Sequence, residues 1–119
     1  MIKVKICGLS SPETVQAAIG AGADFAGFVF FARSPRAVTG TQAAILVGMV
    51  PAGVAKVGLF VDATDAAIAD VLALTGLDYL QLHGAETPER VAQIRARFGL
   101  PVIKAVAIAG AADIDRARS

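Results

Sequence analysis

One segment occurs twice in the chain, and nothing else in the sequence constrains the fold as strongly. Ile6-Cys7-Gly8-Leu9-Ser10-Ser11-Pro12-Glu13 and Leu82-His83-Gly84-Ala85-Glu86-Thr87-Pro88-Glu89 share an apolar residue, a polar one, a glycine and then hydroxyl-Pro-Glu. The hydroxyls of Ser11 and Thr87 are placed to accept hydrogen bonds from the first amides of a helix. Pro12 and Pro88 suit a first helical position whose N–H needs no partner, and Glu13 and Glu89 face the positive end of the helix dipole. Thr39-Gly40-Thr41-Gln42 repeats the start with capping-box spacing. A strand-to-helix junction that recurs means a chain assembled from repeated βα units.

Short apolar segments alternate with Ala-rich segments of helical period along the chain. Strands are predicted over residues 2–7, 25–31, 55–61, 79–83 and 102–106, and helices over 12–21, 40–49, 65–75 and 88–98, with a partial helix from 111 onward. Strands joined by helical crossovers run parallel, and parallel sheets need helices on their faces, so the fold class is α/β. Such units build either a (β/α) barrel or a doubly wound sheet. No Gly-x-Gly-x-x-Gly follows the first strand, which counts against the nucleotide-binding doubly wound form. Parity favours the barrel as well. Ile2, Val4 and Ile6 share one face of the first strand and Lys3, Lys5 and Cys7 the other, while Leu80 and Leu82 oppose Tyr79, Gln81 and His83 in the fourth. A barrel strand turns an apolar face to the helices and the other to the interior and its mouth, whereas a doubly wound sheet wants both faces apolar. Lys5 inside a barrel then calls for a carboxylate partner.

At 119 residues the chain holds one domain, residues 1–119, with a single core. Hydrophobic residues make up 55% and charged residues 18%, a balance that excludes a disordered tail. Eleven Lys and Arg against ten Asp and Glu leave a net charge of +1, so no basic surface is available for nucleic acid. The apolar runs at 43–50 and 102–109 are broken or bounded by Gly48, Pro51 and Lys104. Both fall short of the roughly 20 residues of a spanning helix, so no membrane partner is expected. One cysteine cannot form an internal disulfide, and Met1-Ile2-Lys3-Val4-Lys5 lacks the apolar core of a signal peptide; both fit a reducing cytoplasm.

Polar residues at strand ends are the candidates for chemistry. Cys7 ends the first strand directly before Gly8, at what in a barrel is the rim that carries active sites. A free cysteine is commonly a small buried hydrophobe, but at a rim a thiol serves as nucleophile or general base. His83 repeats the Cys7 position after the fourth strand, so the two point to one shared site; read alone, a single histidine is as readily a satisfied structural group. One histidine and one cysteine do not make the usual zinc ligand set, and no metal is expected. The loop Phe30-Phe31-Ala32-Arg33-Ser34-Pro35-Arg36 carries two guanidinium groups that suit a carboxylate or phosphate, or else a solvated loop. Asp62 reads either as a rim acid or, preferably, as part of the helix-start loop Asp62-Ala63-Thr64-Asp65. Lys104 lies within the fifth strand, where an inward orientation is open to it.

Taken in order, Lys3-Val4-Lys5-Ile6-Cys7-Gly8, Gly27-Phe28-Val29-Phe30-Phe31 with Ser34-Pro35-Arg36, Val57-Gly58-Leu59-Phe60-Val61, Leu80-Gln81-Leu82-His83-Gly84 and Val102-Ile103-Lys104-Ala105 resemble the phosphoribosylanthranilate isomerase family along the whole chain. The resemblance implies a (β/α)8 TIM barrel of which about the first five strands are present, where a complete barrel typically takes ~250 residues. It implies an isomerase of tryptophan biosynthesis that needs no cofactor. The reaction takes a small phosphorylated substrate, N-(5-phosphoribosyl)anthranilate, to 1-(2-carboxyphenylamino)-1-deoxyribulose 5-phosphate, an Amadori rearrangement. By the same resemblance Cys7 matches the general base at C2 of the opened sugar imine, Arg36 the arginine that holds the anthranilate carboxylate, and His83 a histidine lining the pocket.

The family's aspartate general acid stands on the sixth strand and its phosphate site follows strands seven and eight; neither is matched within residues 1–119. Asp113 and Asp115, in the partial fifth helix, are poor substitutes. The expectation is a chain that needs its remaining strands in order to act, with a non-catalytic half-barrel module as the alternative. Its first and fifth strands would be open edges through which it self-associates.

Overall fold

The computed structural model describes residues 4–104. Strands and helices alternate through them as β1 (Lys5–Ile6), α1 (Pro12–Gly20), β2 (Phe25–Val29), α2 (Gly40–Val47), β3 (Ala55–Phe60), α3 (Asp65–Leu74), β4 (Tyr79–Leu82), α4 (Pro88–Phe98) and β5 (Val102–Lys104). Within the described residues each of the five predicted strands and of the four helices predicted before residue 99 is found, several of them shorter than predicted. Phe30 and His83 still continue the ladder, donating from their amides to Leu59 and Phe60 at 2.9 Å each. The helix predicted from residue 111, with Asp113 and Asp115, lies outside the described residues.

The repeated helix starts behave as their chemistry demands. Ser11, Thr39, Thr64 and Thr87 are N-caps whose side-chain oxygens accept from the amides of Thr14, Gln42, Ala67 and Arg90. Each satisfies a donor that the helix itself leaves unpaired. Ser11 and Thr39 complete capping boxes with Thr14 and Gln42, and α4 stops at Gly99 in the left-handed conformation that a helix end favours.

All strand pairs are parallel and the sheet order is β1-β2-β3-β4-β5. A doubly wound sheet reverses its order part-way to place helices on both faces. Here the order never reverses, so crossovers of one hand put every helix on the same face, as in a barrel. Register lines up Phe28, Gly58 and Leu80 in one row and Phe60 with Leu82 in the next. That face is the core. Phe28, Phe60, Leu80 and Leu82 are buried with Val15 of α1, Ala43 and Leu46 of α2, Ile68 of α3 and Ile94 of α4. The opposite face carries Val29, Leu59, Gln81 and Ile103 in register.

A second repeat holds the other end of the sheet. Gly22-Ala23-Asp24-Phe25 and Gly76-Leu77-Asp78-Tyr79 occupy equivalent turns into β2 and β4. The carboxylate of Asp24 accepts from the amide of Val4 at 2.7 Å, and that of Asp78 from Lys56 at 2.8 Å. These acids lie at the N-terminal ends of the strands, where a barrel keeps its stability contacts, which leaves the C-terminal ends for chemistry. Among the described residues no helix is long and apolar enough to cross a membrane.

Candidate functional site

The C-terminal edge of β1 turns sharply into its loop. Gly8 has φ of +80°, a left-handed conformation open to glycine, and Leu9 then donates from its amide to the carbonyl of Gly27 on β2 at 3.1 Å. The turn leaves Cys7 half-buried with its thiol laid against β2. A Cβ at Gly27 would stand 2.8 Å from Sγ and 3.1 Å from Cα of Cys7, so the thiol occupies space that any other residue at 27 would fill.

The loop after β2 brings the cation. Ala37 bridges to Val29 and Val38 donates to Val29 at 2.9 Å, so the chain from Phe30 to Val38 folds back on its own strand. Within it Ser34 accepts from the Arg36 amide at 3.2 Å. The exposed Arg36 side chain arches over Gly8: its Cδ lies 2.6 Å and its Nη1 3.3 Å from where a Cβ at Gly8 would stand. Cys7, Gly8 and Arg36 therefore line one open cleft, of about 460 Å³, along the outer side of β1. A thiol and a guanidinium beside it provide, in one place, a proton acceptor and a planar fork for an oxyanion.

A polar network ties the ends of β3, β4 and β5. Glu86 is buried, its side chain 3% exposed. Its Oε1 accepts from the amide of Gly84 at 2.8 Å and from Nζ of Lys104 at 2.7 Å, and its Oε2 accepts from the amide of Asp62 at 2.8 Å. Lys104 also donates to the carbonyl of Gly84, and Asp62 Oδ1 accepts from the amide of Ala85 at 2.8 Å. Burial pushes the Glu86 carboxyl up, but the Lys104 ammonium and the amides of Asp62, Gly84 and Glu86 itself outweigh it and hold the group below its ordinary pKa. Asp62 sits at φ of +47°, and a Cβ on Gly84 would meet its carboxylate at 2.7 Å.

The cleft thus joins Cys7 and Arg36, and His83 stands apart from it at the end of β4. Three strand spacings of about 4.8 Å separate β1 from β4 along the sheet, and His83 is exposed at the same rim. Arg33 is exposed and lines no part of the cleft. Lys5 pairs with Phe25, one residue off the core-side pair Ile6 and Ala26, so it stands on the face away from the helices as its parity predicts; it is exposed there, and the carboxylate partner expected for it is not found among the described residues. Lys104 stands in register with Leu82, on the core-side row, and reaches Glu86 instead of the interior. Asp62 belongs to the loop before α3, as read, but the cap of that helix is Thr64; the Asp62 carboxylate holds the neighbouring loop.

Sequence reasoning missed Gly27 and Glu86. An isolated glycine within a strand is a signal of close approach, and it would have marked Gly27. Glu86 replaces Ser10 of the repeated segment, the one place where the second copy gains a charge. Among the described residues no group of three or more His, Cys, Asp and Glu is placed to hold a metal ion.

The family model for N-(5'phosphoribosyl)anthranilate (PRA) isomerase matches residues 4–119. An N-(5'-phosphoribosyl)anthranilate isomerase from Paracoccus denitrificans is 58% identical over 114 residues, which are 96% of this chain and 53% of that relative. The one from Parvibaculum lavamentivorans is 55% identical over 108 residues, 91% of this chain and 50% of the relative. The phosphoribosyl anthranilate isomerase of Thermotoga maritima superposes with a TM-score of 0.90 at 37% identity, over 98% of this chain and 56% of that one. A crystal structure of such an isomerase in complex with reduced 1-(o-carboxyphenylamino)-1-deoxyribulose 5-phosphate superposes equally well, with a TM-score of 0.90. The chain spans about half the length of the curated relatives it matches.

Proposed function

The chain belongs to the N-(5'-phosphoribosyl)anthranilate isomerase family, and from that membership we propose that it supplies the base and the carboxylate anchor of the tryptophan-biosynthesis isomerase. The reaction is the conversion of N-(5'-phosphoribosyl)anthranilate to 1-(2-carboxyphenylamino)-1-deoxyribulose 5-phosphate. The observation that carries the reading is the Cys7 thiol seated against Gly27 with Arg36 arched over Gly8.

The steps follow from what each group can do. A general acid protonates the furanose ring oxygen, the bond from that oxygen to C1 breaks, and the anilino nitrogen pushes its electron pair toward C1 to give a protonated Schiff base. That electron sink acidifies the hydrogen on C2. Cys7 as thiolate takes this proton, and the C–H pair becomes the C1–C2 double bond of an enamine. Loss of the C2 hydroxyl proton and protonation at C1 then give the ketone, so the step is redox-neutral and consumes no co-reactant. Arg36 holds the anthranilate carboxylate with two parallel charge-assisted hydrogen bonds, fixing C2 over the thiol. His83 lines the same mouth from β4. The rim carboxylates Asp62 and Glu86 are engaged with loop amides and Lys104. Glu86 is engaged through both oxygens and Asp62 through the one that holds the loop, and we assign the acid, with the phosphate site, to strands beyond β5. A cytoplasmic setting fits the lone cysteine.

The test completes the barrel. Residues 1–119 are joined to the half of the 58% identical relative that they do not match, and turnover of N-(5'-phosphoribosyl)anthranilate is measured. Turnover well above background is expected. A folded barrel without turnover would leave the half-barrel module as the better reading.

A further inference from the structure

The backbone that follows β4 is held from outside its own strand. The amide of His83 donates to Phe60 on β3. The next peptide unit is held through the Gly84 amide by Glu86, and the one after it is gripped at both ends, its carbonyl by Lys104 and its Ala85 amide by Asp62. Glu86 also fastens the amide of Asp62, so one buried carboxylate joins the rims of β3, β4 and β5. Gly84 is required for this closeness, since a Cβ there would overlap the Asp62 carboxylate. So much polar structure is not needed to start a helix, because α1 begins from the matching Ser10-Ser11 with its cap and no ion pair.

We infer that the Glu86–Lys104 pair is a positioning device for His83. It fixes the two peptide units after His83 before any ligand arrives, so that an otherwise exposed side chain enters the mouth from a constant direction. The inference rests on the proposed role of His83 in the pocket. Its physical sense is preorganisation: a rim group on a loop gains precision when neighbouring elements hold its backbone. Neither Glu86 nor Lys104 needs to touch substrate.

Two measurements test it. His83 is the sole histidine of the chain, so in the completed barrel its imidazole NMR signals are identified as those that His83→Ala removes. Glu86→Gln and Lys104→Met should both move and broaden those signals, while the core variant Ile94→Ala, which weakens the fold elsewhere, should leave them in place. Unchanged imidazole signals in Glu86→Gln and Lys104→Met would overturn the proposal whether or not the chain is an isomerase. In the completed barrel, each substitution should lower kcat/KM by ~10-fold to 10²-fold, the scale of a misplaced group, and neither should lower it further once His83 is alanine. The two substitutions change the local charge with opposite sign, so effects of opposite direction would mean a through-space field and would reject positioning. Losses that remain in full in the His83→Ala background would reject it too, and a parent barrel without turnover would count against the proposed function alone.

Discussion

A missing methyl group at Gly27 sets where the Cys7 thiol stands. Alanine there would place its Cβ 2.8 Å from Sγ, so either the thiol or the β1–β2 spacing must give. Gly27→Ala is expected to cost about 1–3 kcal/mol of stability, as overpacking does. It should also lower kcat in the completed barrel by ~10-fold or more through displacement of the base. Parallel Tm and kcat measurements check both, and an unchanged kcat would mean that the thiol's position is unimportant. Arg36→Lys keeps the charge and loses the fork, so substrate binding should weaken by about 1–3 kcal/mol. An anthranilate analogue without the carboxylate should be handled equally by both forms; if lysine serves as well as arginine on the natural substrate, the role passes to Arg33. Cys7 and Arg36 were legible in the sequence because strand ends and the motifs around them point to a rim. Gly27 was not, because its purpose appears only when β1 is laid beside β2.

Elements were easier to read where their determinants are local. Ser11, Thr39 and Thr87 each act within three residues of themselves, and Thr87→Ala should cost about 1 kcal/mol in thermal or urea unfolding through the lost cap. The network above β4 is another matter, since Glu86 and Lys104 are 18 residues apart and Glu86 and Asp62 are 24 apart. No periodicity brings such residues together. Its pH dependence follows from the depressed pKa of Glu86. The unfolded chain takes up the proton first as pH falls, so the stabilisation is complete above the ordinary glutamate value of about 4.3 and is lost as pH drops through the lower folded value. Glu86→Gln should therefore destabilise at pH 7, by about 1–3 kcal/mol given that Lys104 is 27% exposed and keeps some solvation. The deficit should shrink toward pH 3. Urea unfolding of both proteins at pH 7, 4 and 3 checks this, and a deficit independent of pH would mean that Glu86 contributes nothing as an anion.

At the scale of the molecule, the unreversed order of five parallel strands is what makes the sheet a barrel segment. Class and order could be read from the repeat, because a βα unit that recurs prescribes its own neighbour. The placement of Lys104 could not, because its partner Glu86 comes to it only when β5 is laid beside β4. In the described residues β1 and β5 are the outer strands, each with one row of backbone groups unpaired. The 119-residue polypeptide by itself is expected to self-associate and to show no turnover, and to gain turnover when mixed with a separately made second half of the relative. Sedimentation and activity assays decide this; an active monomer would mean that the acid and phosphate site lie among residues read as structural. The most direct test of the central claim is the kinetics of Cys7→Ala in the completed barrel. Loss of the proton-abstracting base predicts a kcat lower by ~10² or more with substrate affinity retained, whereas a near-normal kcat would make Cys7 a packing residue beside Gly27 and remove the base from this site.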